Sequence, residues 1–123
     1  ASHIIIDGPP GTGCPVNAAI VGIDLAVIVT EPTLSGIHDL ERILQVTKHF
    51  NIPAKVIINK HNINPLNAST INVICKQKNV ELIATIGYDD PIVKSLLEGN
   101  TSIETHHNHA ISKTIKKIWE KIK

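Results

Sequence analysis

Asp24-Leu-Ala-Val-Ile-Val-Thr30 is the stretch on which the fold turns. Its apolar residues run unbroken from Leu25 to Val29, and three of them are β-branched. A run this short, without polar alternation, predicts a strand buried on both faces, as in a parallel sheet. Two further strands are expected downstream: Ala54–Asn59, with Val56, Ile57 and Ile58 inside, and Glu81–Ile86. Upstream, His3–Ile6 is a short β-branched run that ends at Asp7, and a strand is expected there too. Helical patterns separate these runs. Pro15 opens one helix, continued by Val16–Val21. Thr33 or Ser35 caps the next, whose apolar stripe is Ile37, Leu40, Ile43, Leu44, Val46 and Phe50. Asn64-Pro65 starts a third, near 65–78, with Ile71, Ile74 and Cys75 on one face. Asp90-Pro91 starts a short one through about Leu97, closed by Gly99-Asn100. Thr101–His109 reads as a polar loop, and a last helix, about 109–122, aligns Ile111, Ile115, Ile118, Trp119 and Ile122. The alternation predicts an α/β domain: a mostly parallel sheet of at least four strands with flanking helices.

Composition narrows the function classes. At 123 residues the chain is one domain, large enough for a real core. A net charge of +1 argues against a charge-driven nucleic-acid binder. Aromatic residues make up 2%, too few for base-stacking platforms, so no specific nucleic-acid partner is expected. With 42% hydrophobic and 19% charged residues, wholesale disorder is not expected. Two cysteines build neither a disulfide framework nor a four-thiolate cluster, and they suit a reducing cytoplasm. No apolar run approaches the roughly 20 residues of a membrane helix, and no signal peptide is visible.

In parallel sheets, ligands bind at the carboxyl ends of the strands. Those ends are Asp7, Thr30–Pro32, Asn59–His61 and Gly87–Asp89. Gly8-Pro-Pro-Gly-Thr-Gly13 has the look of a phosphate-binding loop between strand and helix. Such a loop ends in Lys and Ser or Thr, which contact phosphate and magnesium; Cys14 and Pro15 stand there and do neither. Asp7 offers a better reading. An acid closing a β-branched strand can help hold Mg²⁺ beside a nucleotide. The Gly11 N–H, on a glycine-rich loop, could then approach a γ-phosphate. The competing reading is an ordinary strand–turn–helix connection with an acidic cap.

Ile5-Ile-Asp-Gly-Pro-Pro-Gly-Thr-Gly-Cys-Pro-Val16 and Asp24–Arg42 resemble the MinD/ParA/Mrp group of P-loop ATPases. The likeness is closest to the MinD-like ATPases that carry an inserted ferredoxin domain. It continues through Val56–Lys60 and Ile86–Val93, and covers roughly residues 3–104. The resemblance implies an ATPase using ATP and Mg²⁺, with Asp7 as the Walker B acid acting on the metal through water. It implies that Gly8 and Gly11 lie in the switch loop, and that Thr30 and Pro32 sit beside the phosphates. Asn59 would hydrogen-bond the adenine, Lys60 would flank it, and Gly87, Tyr88 and Asp89 would form the other wall. The group often has proline where this chain has Gly87.

The group's lysine-bearing Walker A loop and its ferredoxin insert have no counterpart in these residues. Residues 1–123 are therefore expected to be the C-terminal part of a longer, incomplete P-loop fold, inactive alone. Any iron–sulfur cluster would belong to the missing part. The resemblance further implies a homodimer in the intact protein and an iron–sulfur or redox partner. It places a missing strand between the Asp7 and Asp24–Thr30 strands, so those two should not pair directly.

Two readings from other classes stand beside this one: a non-catalytic interaction module, and a membrane-surface adaptor. The adaptor would use the last helix, where Lys113, Lys116, Lys117, Lys121 and Lys123 oppose the isoleucine stripe. That stripe equally suits packing on a sheet. Cys75 reads as core. Cys14, at a helix start, is a site where a thiolate is favoured. His106, His107 and His109 form a cluster able to bind Zn²⁺ or Ni²⁺, though an ordinary solvated loop explains them as well. His38 and His61 lie near the rim.

Overall fold

The computed structural model describes residues 2–88, 90–105 and 109–123. Three strands, β1 (Ala26–Thr30), β2 (Ala54–Ile58) and β3 (Glu81–Thr85), form a parallel sheet in the order β1-β2-β3. The β1–β2 register runs unbroken from Ala26 opposite Ala54 to Thr30 opposite Ile58. Between β2 and β3 it slips by one, Val56 facing Leu82 and Ile57 facing Ala84. Among the described residues six helices accompany the sheet: α1 (Cys14–Ile20), α2 (Leu34–His49), α3 (Pro65–Gln77), α4 (Asp90–Leu97), α5 (Ser102–Thr105) and α6 (Ala110–Ile122). A 3-10 turn spans His61–Ile63.

The helices start where the sequence supplies caps. Thr33, rather than Ser35, caps α2, its hydroxyl oxygen accepting from the Gly36 N–H at 2.9 Å. Asn64 caps α3, accepting from the Asn67 N–H at 3.0 Å. Cys14 is the first residue of α1 and Pro15 the second, and Val16 and Ile20 are its buried face.

The main core lies on one side of the sheet. Ile28, Val56 and Ile58 meet Leu40 and Leu44 of α2 and Ile71, Ile74 and Cys75 of α3. Burial pushes the Cys75 thiol up from its ordinary value. The other side carries a smaller cluster of Ile57 and Ile83 under Ile118 of α6, with Ile86 and Ile122 at its margin. The Lys121 ammonium donates to the Ile83 carbonyl at 2.7 Å, fastening the end of α6 to β3. Trp119 stays partly exposed.

Four expectations are corrected. His3–Ile6 joins no ladder, so the described sheet has three strands, not at least four. Ile4, Ile5 and Ile6 are exposed, and His3 lies edge-on to Trp119 with ring centroids 5.3 Å apart. Without a neighbouring strand, a β-branched run has nothing to pair with. The β1 strand is buried on one face only, because α6 covers β2 and β3 while Val27 and Val29 face outward. Phe50 is exposed at the end of α2, past the last turn that touches the sheet. The loop expected over 101–109 contains α5, started by a reciprocal cap. The Thr101 N–H donates to the Glu104 carboxylate at 2.6 Å, and the Glu104 N–H to the Thr101 hydroxyl at 3.3 Å. Asp7 and Thr30 do not sit on paired strands.

Candidate functional site

Parallel strands bring their carboxyl ends to one rim, and backbone bonds beyond the strands lace that rim together. The Asn59 N–H donates to the Thr30 carbonyl at 2.7 Å, the Ile86 N–H to the Ile58 carbonyl at 2.8 Å, and the His61 N–H to the Ile86 carbonyl at 3.0 Å. Thr30–Pro32, Asn59–His61 and Ile86–Tyr88 thus form one continuous edge.

Each segment is held by its own chemistry. Thr30 is buried, and its hydroxyl donates to the Gly36 carbonyl at 3.0 Å, tying the first turn of α2 to the end of β1. Gly36 has no room for a side chain, because a Cβ there would meet the Glu31 carbonyl oxygen. Pro32 is fully buried, and its carbonyl accepts from the Asn67 amide of α3 at 3.2 Å. Asn59 turns its side-chain oxygen back to the Lys60 N–H at 2.9 Å, so its remaining hydrogen-bonding capacity is chiefly that of its NH₂ donor. Lys60 adopts φ +50°, left-handed backbone that costs a lysine strain. Its ammonium pairs with the Glu31 carboxylate at 3.0 Å, with both groups about two-fifths exposed.

On the third segment, the Tyr88 N–H donates to the Asn62 side-chain oxygen at 2.8 Å. Gly87 is backed by His61 and Asn62, 3.8 Å from where a Cβ would stand, so an added side chain there would fit. Tyr88 is exposed, and Asp89 lies outside the described residues. Beside this wall, a cleft of about 360 Å³ opens between His61, Asn62, Pro65, Ser69 and Thr85.

Asp7 and Gly8 belong to the exposed amino-terminal run rather than to the laced rim. Gly11 and Gly13 have φ of +82° and +128°, and only open space surrounds them. The Arg42 guanidinium of α2 donates to the Thr12 hydroxyl at 3.4 Å, holding the glycine loop against α2. Cys14 is exposed. Among the described residues no three His, Cys, Asp or Glu side chains gather as a metal site. His106 and His107 lie outside the described residues, and the His109 ring accepts from the Ile111 N–H at 3.3 Å as the cap of α6. His38 sits exposed on α2, 3.9 Å from Asp39. No helix among the described residues is long and apolar enough to cross a membrane.

The structure thus brings Thr30, Pro32, Asn59, Lys60, Gly87 and Tyr88 together and leaves Asp7, Gly8 and Gly11 on a separate segment. Sequence reasoning placed Glu31 on the rim without its pairing to Lys60, and missed Gly36 and Asn62. Only Asn62 had a local signal, an amide side chain just past a strand end.

A parallel sheet with helical crossovers and a polar carboxyl rim defines an open α/β domain of the kind that binds ligands at its strand ends. The chain belongs to the ParA family described as NUBPL iron-transfer P-loop NTPase, whose sequence model matches residues 2–123. Protein MJ0578 of Methanocaldococcus jannaschii is 31% identical over 119 residues, covering 97% of this chain and 39% of its own length. The septum site-determining protein MinD of Bacillus subtilis is 28% identical over 102 residues, 79% of this chain and 38% of its own. The solved structure of the Pyrococcus furiosus cell division ATPase MinD superposes with a TM-score of 0.75 at 23% identity. It covers 94% of this chain and 49% of the other, and shows the same fold. The chain spans about two-fifths to one half of the length of these relatives.

Proposed function

We propose that this chain supplies the base-binding side and the magnesium acid of the ATP site in a MinD-like ATPase. The observation that carries the reading is the rim itself: the Asn59–Asn62 stretch is laced to the Ile86–Tyr88 stretch by the His61–Ile86 and Tyr88–Asn62 bonds. The Asn59 NH₂ is a donor for a purine edge, and the strained Lys60, anchored by Glu31, is a flank for the ring. Thr30 and Pro32 carry the strand end towards the phosphates. Asp89 belongs to the same wall in this reading.

Magnesium fits the donor set. Mg²⁺ takes one or two carboxylates and fills the rest of its shell with phosphate oxygens and water, and Asp7 is an exposed carboxylate flanked by glycine. The metal would stabilise charge on the phosphates, Gly8 and Gly11 would admit the γ-phosphate to the backbone, and the loop would report its presence. The lysine that cradles the phosphates would come from chain beyond these residues. Hydrolysis, a nucleotide-bound homodimer and coupling to an iron–sulfur or redox partner complete the proposal for the whole protein in a cytoplasmic setting.

The test is titration of the chain with Mg-ATP, read by amide chemical shifts and by calorimetry. Weak, rim-confined shifts at Asn59, Lys60, Gly87 and Tyr88, lost in Asn59→Ala, are the expected outcome. Absence of any rim shift at millimolar nucleotide sinks the reading. Tight binding abolished by Asp7→Ala would show that the Gly8–Gly13 loop cradles phosphate unaided.

A further inference from the structure

Small side chains on one flank of α3 leave a space that the core does not fill. Pro65, Ala68, Ser69 and Asn72 have the spacing that puts residues on one face of a helix. Ile71, Ile74 and Cys75, on the neighbouring face, carry the packing. The register slip in β3 supplies the opposite wall. Ile83 and Ala84 both join the cluster under α6, so Leu82 and Thr85 are left to the α3 side. Between these walls, with Ile58 from β2 and with His61 and Asn62 from the 3-10 turn, lies the cleft of about 360 Å³. None of Asn59, Lys60, Gly87 and Tyr88 lines it, so it is separate from the proposed base site. Its chemistry is of one kind. Ile58, Ala68 and Leu82 give an apolar surface, bordered by the Asn72 amide, the Ser69 and Thr85 hydroxyls and the His61 ring. Among the described residues those four polar side chains make no hydrogen bond, whereas Asn64, Asn67 and Thr70 beside them are all engaged. No carboxylate, ammonium or guanidinium of the described residues lines the cleft, so a charged ligand would lose hydration there without a counter-charge. A strand is not accommodated either. The Lys121 ammonium occupies the Ile83 carbonyl and the slip interrupts the pairing of β3, two devices that blunt a sheet edge.

We propose that this cleft is a second binding site, which takes an uncharged planar heterocycle carrying an amide-type edge. The apolar surface receives the ring. The Asn72 side chain, with a donor and an acceptor side by side, matches a carboxamide or lactam edge, and the two hydroxyls and the imidazole serve the remaining polar atoms. The volume suits one or two rings, at the small end of ligand sites. A ligand bound there touches His61 and Asn62, which also hold the next segment of chain. The His61 N–H donates to the Ile86 carbonyl at 3.0 Å, and the Asn62 side-chain oxygen accepts from the Tyr88 N–H at 2.8 Å. Occupancy is therefore felt at the Tyr88 amide, outside the cleft. The site stands whether or not the rim binds a nucleotide.

The experiment is titration of the chain with nicotinamide, an uncharged heteroaromatic carboxamide, followed by amide chemical shifts, with nicotinate as its anionic counterpart. Saturable shifts at Ser69, Asn72 and Thr85 are expected, with a smaller one at Tyr88 and a midpoint of about 1 mM, ordinary for so small a ligand. Nicotinate should bind at least about fivefold more weakly, for want of a counter-charge. Ser69→Leu, at an exposed position, fills the cleft and should abolish the shifts while leaving the rest of the spectrum in place. Asn72→Ala keeps the room, removes the amide and should weaken nicotinamide about fivefold, the loss of a hydrogen-bonding pair. No shift, shifts that never saturate, or shifts scattered over the surface overturn the proposal. Equal binding of nicotinate overturns the uncharged class. Nicotinamide that still binds Ser69→Leu lies elsewhere, and shifts confined to Asn59, Lys60 and Gly87 that vanish in Asn59→Ala put it on the rim; either result overturns the cleft. Undiminished binding by Asn72→Ala overturns it as well, and that variant decides alone should Ser69→Leu lose its fold.

Discussion

Gly36 shows what one residue carries in this fold. The Glu31 carbonyl occupies the place of its side chain, and its own carbonyl takes the Thr30 hydroxyl. Gly36→Ala must push the start of α2 off the end of β1, at a cost of about 2 kcal/mol in urea unfolding, in the range of overpacked cores. Lys60 gives the opposite sign. Its left-handed backbone costs about 1 kcal/mol, while its exposed pair with Glu31 contributes less than about 1 kcal/mol. Lys60→Gly is therefore expected to leave stability unchanged or slightly higher while erasing the nucleotide-dependent shifts at the rim. Cys75 adds a pH dependence. Burial raises its folded thiol, so the unfolded thiol ionises first. Its contribution is full below the ordinary thiol range, near about 8.5, and is lost as pH rises through the raised folded value. Cys75→Ala should flatten the alkaline limb of a stability-versus-pH curve. Thr33 was legible in the sequence because a cap acts on its own next turn. Gly36 was not, because its constraint is a carbonyl that only the docking of α2 brings near.

Among the elements, α6 earns its place through Ile118, buried on Ile57 and Ile83. Ile118→Ala should cost about 2–3 kcal/mol, measured by denaturant titration, against less for the half-buried Ile115. The α5 turn depends on the Thr101–Glu104 cap. Hydrogen bonds from Thr101 hold the Glu104 carboxyl below its ordinary range. The cap is thus present above that range and lost as pH falls through the lowered value, and the Thr101 amide should lose its protection relative to an unstructured amide at the same pH as the acid limb is crossed. Its threonine and glutamate, three apart, were readable as a helix start, but the polar run around them masked the signal. The β1 strand misled in the other direction. An unbroken apolar run does mark a strand suited to burial on both faces, but burial needs something on each side, and here only α2 and α3 supply it.

For the molecule as a whole, the consequence is an apolar face without a cover. Val27, Val29 and the isoleucine run make self-association at high concentration the expected behaviour. Val27→Thr with Val29→Thr should lower light scattering while leaving the unfolding midpoint nearly unchanged, since neither side chain is in the core. The order of β1, β2 and β3, the starts of α2 and α3, and the strand ends Thr30–Pro32 and Asn59–His61 were determined by the sequence alone, while the strand expected over His3–Ile6 and the loop expected over 101–109 were not. Periodicity, caps and turn residues act over a few positions, and a parallel α/β order carries its strand ends to one side. The family was readable for the same reason, in contiguous stretches around Asp7 and Asp24–Arg42. Tertiary structure alone decided which face of β1 is covered, why Gly36 must be glycine, that Glu31 anchors Lys60, and that the run ending at Asp7 joins no ladder of the described sheet. Each of these depends on elements distant in the chain, or on a neighbouring strand, occupying one side of a surface. No local pattern encodes what stands there.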